Sequence, residues 1–279
     1  MTGQRLRTVL AGGLAARAAW SALRSAPPGG RDRWDRRNHR GSTVTLLEGP
    51  ALALAAAGTA GLAREVPTRL RLAGALAALG AGAFGVADDL GERGARKGLR
   101  GHVGALARGE LTTGGLKLVG IGVVGLGCAA LAVTPTPGRG RASRAAEVAT
   151  AGALIAGCAN LVNLLDLRPG RALKAVLLAG PTALADHPAG GLVAIAAGPA
   201  AALLPLDLGE RAMLGDGGAN AAGAVLGTAL AARLGPAGRL AALAGAVALT
   251  LASERVSFTS VIESTPVLRE LDALGRRPR

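Results

Sequence analysis

The fold class this sequence predicts is all-α: a polytopic transmembrane helix bundle of about nine or ten spans. Three observations carry that expectation. Half of the 279 residues are apolar, with a mean hydropathy of +0.37. The apolar residues fall in blocks of about 17 to 22, long enough to cross a hydrocarbon core of roughly 30 Å. Three polar motifs, Asp88-Asp89, Asn160-Leu-Val-Asn163-Leu-Leu-Asp166 and Leu214-Gly-Asp216-Gly-Gly, each sit at one end of a block, and those blocks alternate with others that lack one. In a membrane, all three motifs then meet on one face.

Taken in order, the first block, 6–24, is preceded by Arg5 and Arg7 and interrupted by Arg17. No small-residue cleavage site accompanies it, so it reads as a first helix and not as a signal peptide. Blocks 44–62 and 69–88 follow, the latter ending on the aspartate pair. Block 114–133 has no charge from 118 onward, and 189–207 has none from 189 to 204. A soluble Ala-rich helix would need a charged face at helical period, which these two exclude. Block 145–165 carries the Asn stripe, 171–186 follows it, and 217–234 starts just past Asp216. Block 237–252 closes a bundle domain of residues 1–252 and leaves 253–279 as a tail. With 44 glycines and 1% aromatic residues, close helix approach through small residues is expected and no aromatic belt marks the span ends. Cys128 and Cys158 lie inside apolar blocks and read as small packing residues.

In the tail, Thr265-Pro266 suits the start of a short helix whose apolar stripe is Val267, Leu268, Leu271 and Leu274, with Gly275 as its stop. Its opposite face, Arg269, Glu270 and Asp272, is expected to stay polar. The tail is expected to lie on the cytoplasmic surface with Arg276, Arg277 and Arg279 at anionic head groups.

Charge sets the orientation. Of 32 Lys and Arg residues, 21 fall on one set of alternate connections together with the C-terminal tail. The positive-inside tendency puts those connections, and the three polar motifs with them, in the cytoplasm of a plasma-membrane protein. The connection 134–144, with three arginines, runs against the rule. A net charge of +14 suits an anionic leaflet, and without interleaved aromatic residues it gives no reason to expect nucleic acid as a partner.

Carboxylates at a membrane boundary are costly unless something positive neutralises them. A single helix-end Asp is a solvated cap; three clusters on one face are a candidate site. The i, i+3, i+6 spacing of Asn160, Asn163 and Asp166 keeps them within about 120° on a helix, so one stripe faces one pocket, where it can hold Mg²⁺ or read a polar head. Around Asp216 the glycines allow close backbone approach and the next helix offers its N-terminus, with Asn220 one turn in. Asn38, Arg40, Lys97, His102, Lys117, Arg168 and Arg171 border these motifs. Carboxylates fringed by cations suit a metal-bound pyrophosphate. An oxygen-only ligand set favours Mg²⁺ or Mn²⁺, and His39, His102 and His187 lack zinc-ligand spacing.

The ordered trio of motifs resembles the polyprenyl-phosphate N-acetylhexosamine-1-phosphate transferases, relatives of phospho-N-acetylmuramoyl-pentapeptide transferase, over about Arg36 to Asn220. The resemblance implies a cytoplasmic Mg²⁺ (or Mn²⁺) site. It further implies transfer of a sugar-1-phosphate from a UDP-sugar to polyprenyl phosphate, releasing UMP, in cell-envelope glycan synthesis. On it, Asp88, Asp89 and Asp216 match the catalytic aspartates, and Asp216 the main metal ligand, with Asn163 and Asp89 beside it. Asn160, Asn163 and Asp166 match the nucleotide and metal stripe, and Asn38 to Gly41 the first cytoplasmic loop. The chain departs from the family in two places. No histidine follows Asp216, and Arg168-Pro-Gly-Arg171 follows the stripe where the family has a second acidic motif. Sugar identity stays open, with Ser257 to Glu263 expected beside the sugar. Two other classes stay open too, a catalytically silent lipid-binding homologue and an ion-coupled transporter, as does a homodimer.

Overall fold

The apolar blocks form helices because Ala and Leu favour them and because a backbone in lipid must satisfy its own N–H and C=O groups. The computed structural model describes residues 2–38, 40–91, 113–134, 136–138, 140–184 and 187–277. Among these are eleven α-helices: α1 (Thr2–Ser25), α2 (Glu48–Leu62), α3 (Thr68–Gly91), α4 (Thr113–Ala132), α5 (Arg141–Leu165), α6 (Arg171–Leu178), α7 (Gly190–Leu208), α8 (Gly215–Arg233), α9 (Pro236–Ser253), α10 (Phe258–Ser264) and α11 (Pro266–Ala273). Five of them, α3, α4, α5, α7 and α9, are long and apolar enough to cross a membrane. The protein is an all-α, multi-pass membrane bundle.

Helix α8 is its axis, in contact with α2, α3, α4, α5, α6 and α7. Fourteen of its nineteen residues are buried, eleven of them Gly or Ala, so neighbouring backbones come close from several sides. The closest approach that matters for the site is at Gly85 of α3, where any Cβ would overlap the Asp216 carbonyl. That glycine lets the end of α3 reach the start of α8. A π-helical segment, Ala77–Ala81, interrupts α3 two turns before the aspartate pair; such segments shift the face a helix presents. Outward-facing leucines, among them Leu10 and Leu14 of α1 and Leu240 and Leu251 of α9, are exposed, as a lipid-facing surface requires.

Two features differ from the sequence expectation. In block 171–186 the only α-helix among the described residues is α6, eight residues or about 12 Å long, followed by a 3-10 segment over Gly180–Leu184, so it is not among the helices long and apolar enough to cross by length and composition. Gly180-Pro181 ends the helix, since proline cannot donate to the preceding turn. The connection before α2 also holds a hairpin, β1 (Asp35–Arg37) antiparallel to β2 (Thr43–Thr45). Its turn is closed by Asn38 Oδ1, which accepts from the backbone N–H groups of Arg40 and Ser42, both at 2.9 Å. The hairpin is tied to the α7–α8 connection by the Met213 N–H donating to Thr45 O at 3.0 Å.

Candidate functional site

The end of α3 and the starts of α4 and α8 meet at one end of the bundle. Lys117, in the second turn of α4, donates to Asp88 Oδ2 at 2.6 Å and to Asp216 Oδ2 at 2.5 Å. Those two carboxylate oxygens are therefore no more than about 5 Å apart, with a cation between them.

Asp89 has a different task. Its Oδ1 accepts from the Asp216 N–H at 3.1 Å and its Oδ2 from the Gly217 N–H at 3.0 Å. It thus caps the first turn of α8, where unpaired amides and the helix dipole favour an anion. Gly215 makes this possible by turning the chain at φ +63° just before the first turn. Asn220 Nδ2 donates back to the Asp216 carbonyl at 2.8 Å, and from the hairpin Arg36 Nη2 donates to the Asp89 carbonyl at 2.8 Å.

Beside Lys117 opens a cavity of about 250 Å³ between α4, α5, α8 and α9, lined among others by Asn160, Asn163, Asn220, Thr250 and Glu254. Asn160 Nδ2 donates to Thr250 Oγ1 at 3.0 Å. Asp166 is not part of this wall, which corrects the expectation of one continuous stripe. Helix α5 ends at Leu165, so the last residue of the spacing has left the helix. Its carboxyl, half-buried and beside the charges of Asp207, Asp216 and Asp89, is held well above the usual carboxylate range by desolvation and by those charges.

Asp166 instead borders a second cavity, about 550 Å³, together with Arg37, Asn38, Arg168, Asp207 and Glu210. A third, about 540 Å³, is lined by Arg40, Arg168, Arg269, Arg276 and Arg277 among others. Asn38 and Arg40 both engage Glu210, at 2.6 and 3.3 Å, and so fasten the hairpin to the α7–α8 connection. Arg168 stands 3.7 Å from Glu263.

Arg171, expected on the substrate, is an anchor for the tail. It is 5% exposed and pairs with both oxygens of Asp272 at 2.8 and 2.9 Å, while Nη1 donates to Thr259 at 2.8 Å. Asp272, expected with Arg269 and Glu270 on the polar face, is buried, while Arg269 and Glu270 are exposed, as are Val267, Leu268, Leu271 and Leu274. Lys97 and His102 lie outside the described residues.

Three acids went unnoticed in the sequence. Glu48 is completely buried with no hydrogen-bond partner for either oxygen, near Asp207 and Asp166. Asp207 accepts from the Gly170 N–H at 3.0 Å, and Glu210 holds the hairpin. The boundary-carboxylate argument that singled out Asp88 and Asp216 applies equally to Glu48 and Asp207, each at the end of an apolar block.

Among the described residues no three His, Cys, Asp or Glu side chains form a group ready to hold a metal. What the site offers is a carboxylate pair bridged by the Lys117 ammonium, with Asn160, Asn163 and Asn220 on the wall of the adjoining cavity. Fold and site together define a class: a multi-pass α-helical membrane protein with a charged polar centre at one end of its bundle. No protein-family model and no curated protein matches the chain.

Proposed function

We propose that the chain is a sugar-1-phosphate transferase of the cytoplasmic membrane face, passing a sugar phosphate, expected to be an N-acetylhexosamine-1-phosphate, from a UDP-sugar to polyprenyl phosphate. The observation that carries this reading is the contact of Asp88, Lys117 and Asp216, contributed by three helices beside an asparagine-lined cavity. A phosphate monoester has a second pKa near 6, so the lipid phosphate is largely ionised at neutral pH and needs little help from a base. Its oxygen attacks the sugar-bearing phosphorus of the donor; the bond to the bridging oxygen breaks and UMP leaves, giving a polyprenyl diphospho-sugar. The obstacle is the meeting of two anions, so charge neutralisation and in-line positioning dominate the rate.

Asp88 and Asp216 are the residues that would hold a divalent cation, which supplies charge neutralisation on the phosphates when bound. Lys117 stands where it can balance phosphate oxygens the carboxylates do not serve. Asn160, Asn163 and Asn220 offer amide donors and acceptors for the uncharged parts of the donor. Asp89, by capping the first turn of α8, holds Asp216 in place, and Arg36 fixes the end of α3.

For the lipid, an apolar groove of about 410 Å³ runs between α5, α6, α9 and the tail, lined by Leu161, Leu165, Leu249, Phe258 and Leu268, with Lys174 at its edge. Helices α5 and α9 contribute to both this groove and the asparagine cavity, so an isoprenoid chain in one brings its phosphate towards the other. The excess of basic residues at this end of the bundle supports the cytoplasmic assignment.

The test is UMP release by the purified chain in nanodiscs, supplied with undecaprenyl phosphate and a panel of UDP-sugars. Release that needs both substrates and stops on chelation of divalent ions supports the reading. A panel that yields no UMP with any donor, from protein shown to be folded, contradicts it and leaves the silent lipid-binding homologue as the better account.

A further inference from the structure

We propose that Lys117 is an exchangeable counter-ion built into the site: its ammonium holds Asp88 and Asp216 together until a divalent cation takes that position, and it then turns into the asparagine-lined cavity to meet the donor's phosphates. The inference rests on the transferase reading for the identity of the donor, and goes beyond it in assigning the resident cation two positions.

The geometry of the three groups carries the argument. Two carboxylate oxygens within about 5 Å repel each other unless a positive charge lies between them, and Lys117 Nζ bonds both, at 2.6 and 2.5 Å. The ammonium therefore occupies the ground a bridging divalent ion needs, and the two cations cannot share it. Counting formal charge, two aspartates and one lysine leave the trio at −1, while a divalent ion in place of the ammonium brings the carboxylate pair to neutrality. The displaced lysine has somewhere to go. It already borders the cavity formed with Gly114, Asn163 and Asn220, its side chain is 21% exposed, and four methylene groups let the ammonium swing while the backbone of α4 stays in place. Asp216, by contrast, is held: Asp89 binds its backbone N–H and Asn220 its carbonyl. The lysine is the mobile member of a fixed pair.

A coupling follows. A donor pyrophosphate in the cavity draws Lys117 off the carboxylates and so favours metal binding; a metal on the carboxylates frees Lys117 and so favours the donor, to the same degree.

The experiment measures metal binding without donor, on the full chain in nanodiscs. Mn²⁺ titrations followed by electron paramagnetic resonance are compared for wild type, Lys117→Met and Asp216→Asn. Lys117→Met is expected to bind Mn²⁺ roughly tenfold more tightly, the gain from removing a competitor that occupies the site most of the time, while Asp216→Asn loses binding. Equal or weaker Mn²⁺ binding by Lys117→Met overturns the proposal.

Should that variant fail to fold, the wild type still decides the matter. The chain has three lysines, Lys97, Lys117 and Lys174, so ¹⁵N-lysine spectra resolve the Lys117 ammonium, assigned with Lys117→Arg. Its signal is expected to move as Mg²⁺ is added. Metal binding with that signal unmoved overturns the exchange and leaves the transferase reading to the UMP assay. Absence of any metal binding, by wild type and variant alike, overturns the metal-dependent reading as well.

Discussion

Adjacent residues on a helix point about 100° apart, and this separates the roles of the aspartate pair. Asp88 turns to Lys117, and Asp89 turns to the amides of α8. Asp89→Ala should therefore act through stability: loss of a helix cap of this kind costs about 1 kcal/mol, seen as a lowered melting temperature, whereas Asp89→Asn, which keeps one acceptor, should retain more turnover than Asp216→Asn. Asp216→Asn is expected to reduce UMP release at least about 100-fold, the scale on which loss of one charge-stabilising group is felt. Equal losses from Asp89→Asn and Asp216→Asn would place Asp89 on the substrate side. The aspartate pair and Asp216 were legible as residues because a carboxylate at the edge of an apolar block has few structural uses. The division of labour between Asp88 and Asp89 was not, since it depends on which face of α3 meets α8, and a π-helical segment lies between the start of that helix and the pair. For a similar reason Asn160 and Asn163 face the cavity expected of them and Asp166 does not: the spacing rule holds only while the helix lasts.

The tail shows how an element can be legible in its ends and opaque in its faces. Thr265-Pro266 does start α11, and Arg269 and Glu270 stay exposed as expected, but Asp272 of the same face docks. In water the apolar stripe of a short helix turns inward; beside a lipid-facing bundle the surface itself is apolar, so Leu271 and Leu274 can stay exposed while Asp272 seeks Arg171 and Arg276. Breaking a buried pair of this kind costs on the order of 3–5 kcal/mol, so Asp272→Asn should free the tail and open Arg269 and Arg276 to trypsin at neutral pH. Burial alone would raise the Asp272 carboxyl, but the hydrogen bonds and charge of Arg171, with Arg276, hold it below its ordinary value. A depressed carboxylate stabilises the docked state above its unfolded pKa of about 3.9 and loses that contribution as pH falls through the folded value. Tail protection against an acid-active protease should thus persist from neutrality down to about pH 4 and fade below it; protection unchanged at pH 2 would contradict the pairing. Because α10 and α11 wall both the arginine-lined cavity and the apolar groove, deleting 256–279 should lower donor turnover while leaving membrane insertion intact. The hairpin and the brevity of α6 were missed because each turns on two or three residues, an asparagine turn and a Gly-Pro step, within segments whose average composition says otherwise.

At the scale of the whole molecule, the alternation of blocks was enough to bring the starts of α4 and α8 and the ends of α3 and α5 to one end of the bundle, since helices joined by short connections run antiparallel. The same composition explains what was hard to read: helices of Ala and Gly carry weak span signals, and α8, the axis of the bundle, is among those not apolar enough to qualify as a span by length and composition alone. Cysteine labelling from either side of the membrane should find Asn38 and Ser257 accessible from the cytoplasm; labelling from outside would reverse the orientation and remove the site from a cytoplasmic UDP-sugar. The central claim, that a phosphate travels with the sugar, is tested most directly by supplying UDP-sugar labelled with ³²P at the β-phosphate, together with undecaprenyl phosphate, and extracting the lipid. The label is expected in the lipid fraction with wild type and to be absent from it with Asp216→Asn. Sugar appearing in the lipid while the ³²P remains in UDP would mean glycosyl transfer without its phosphate, and would contradict the account.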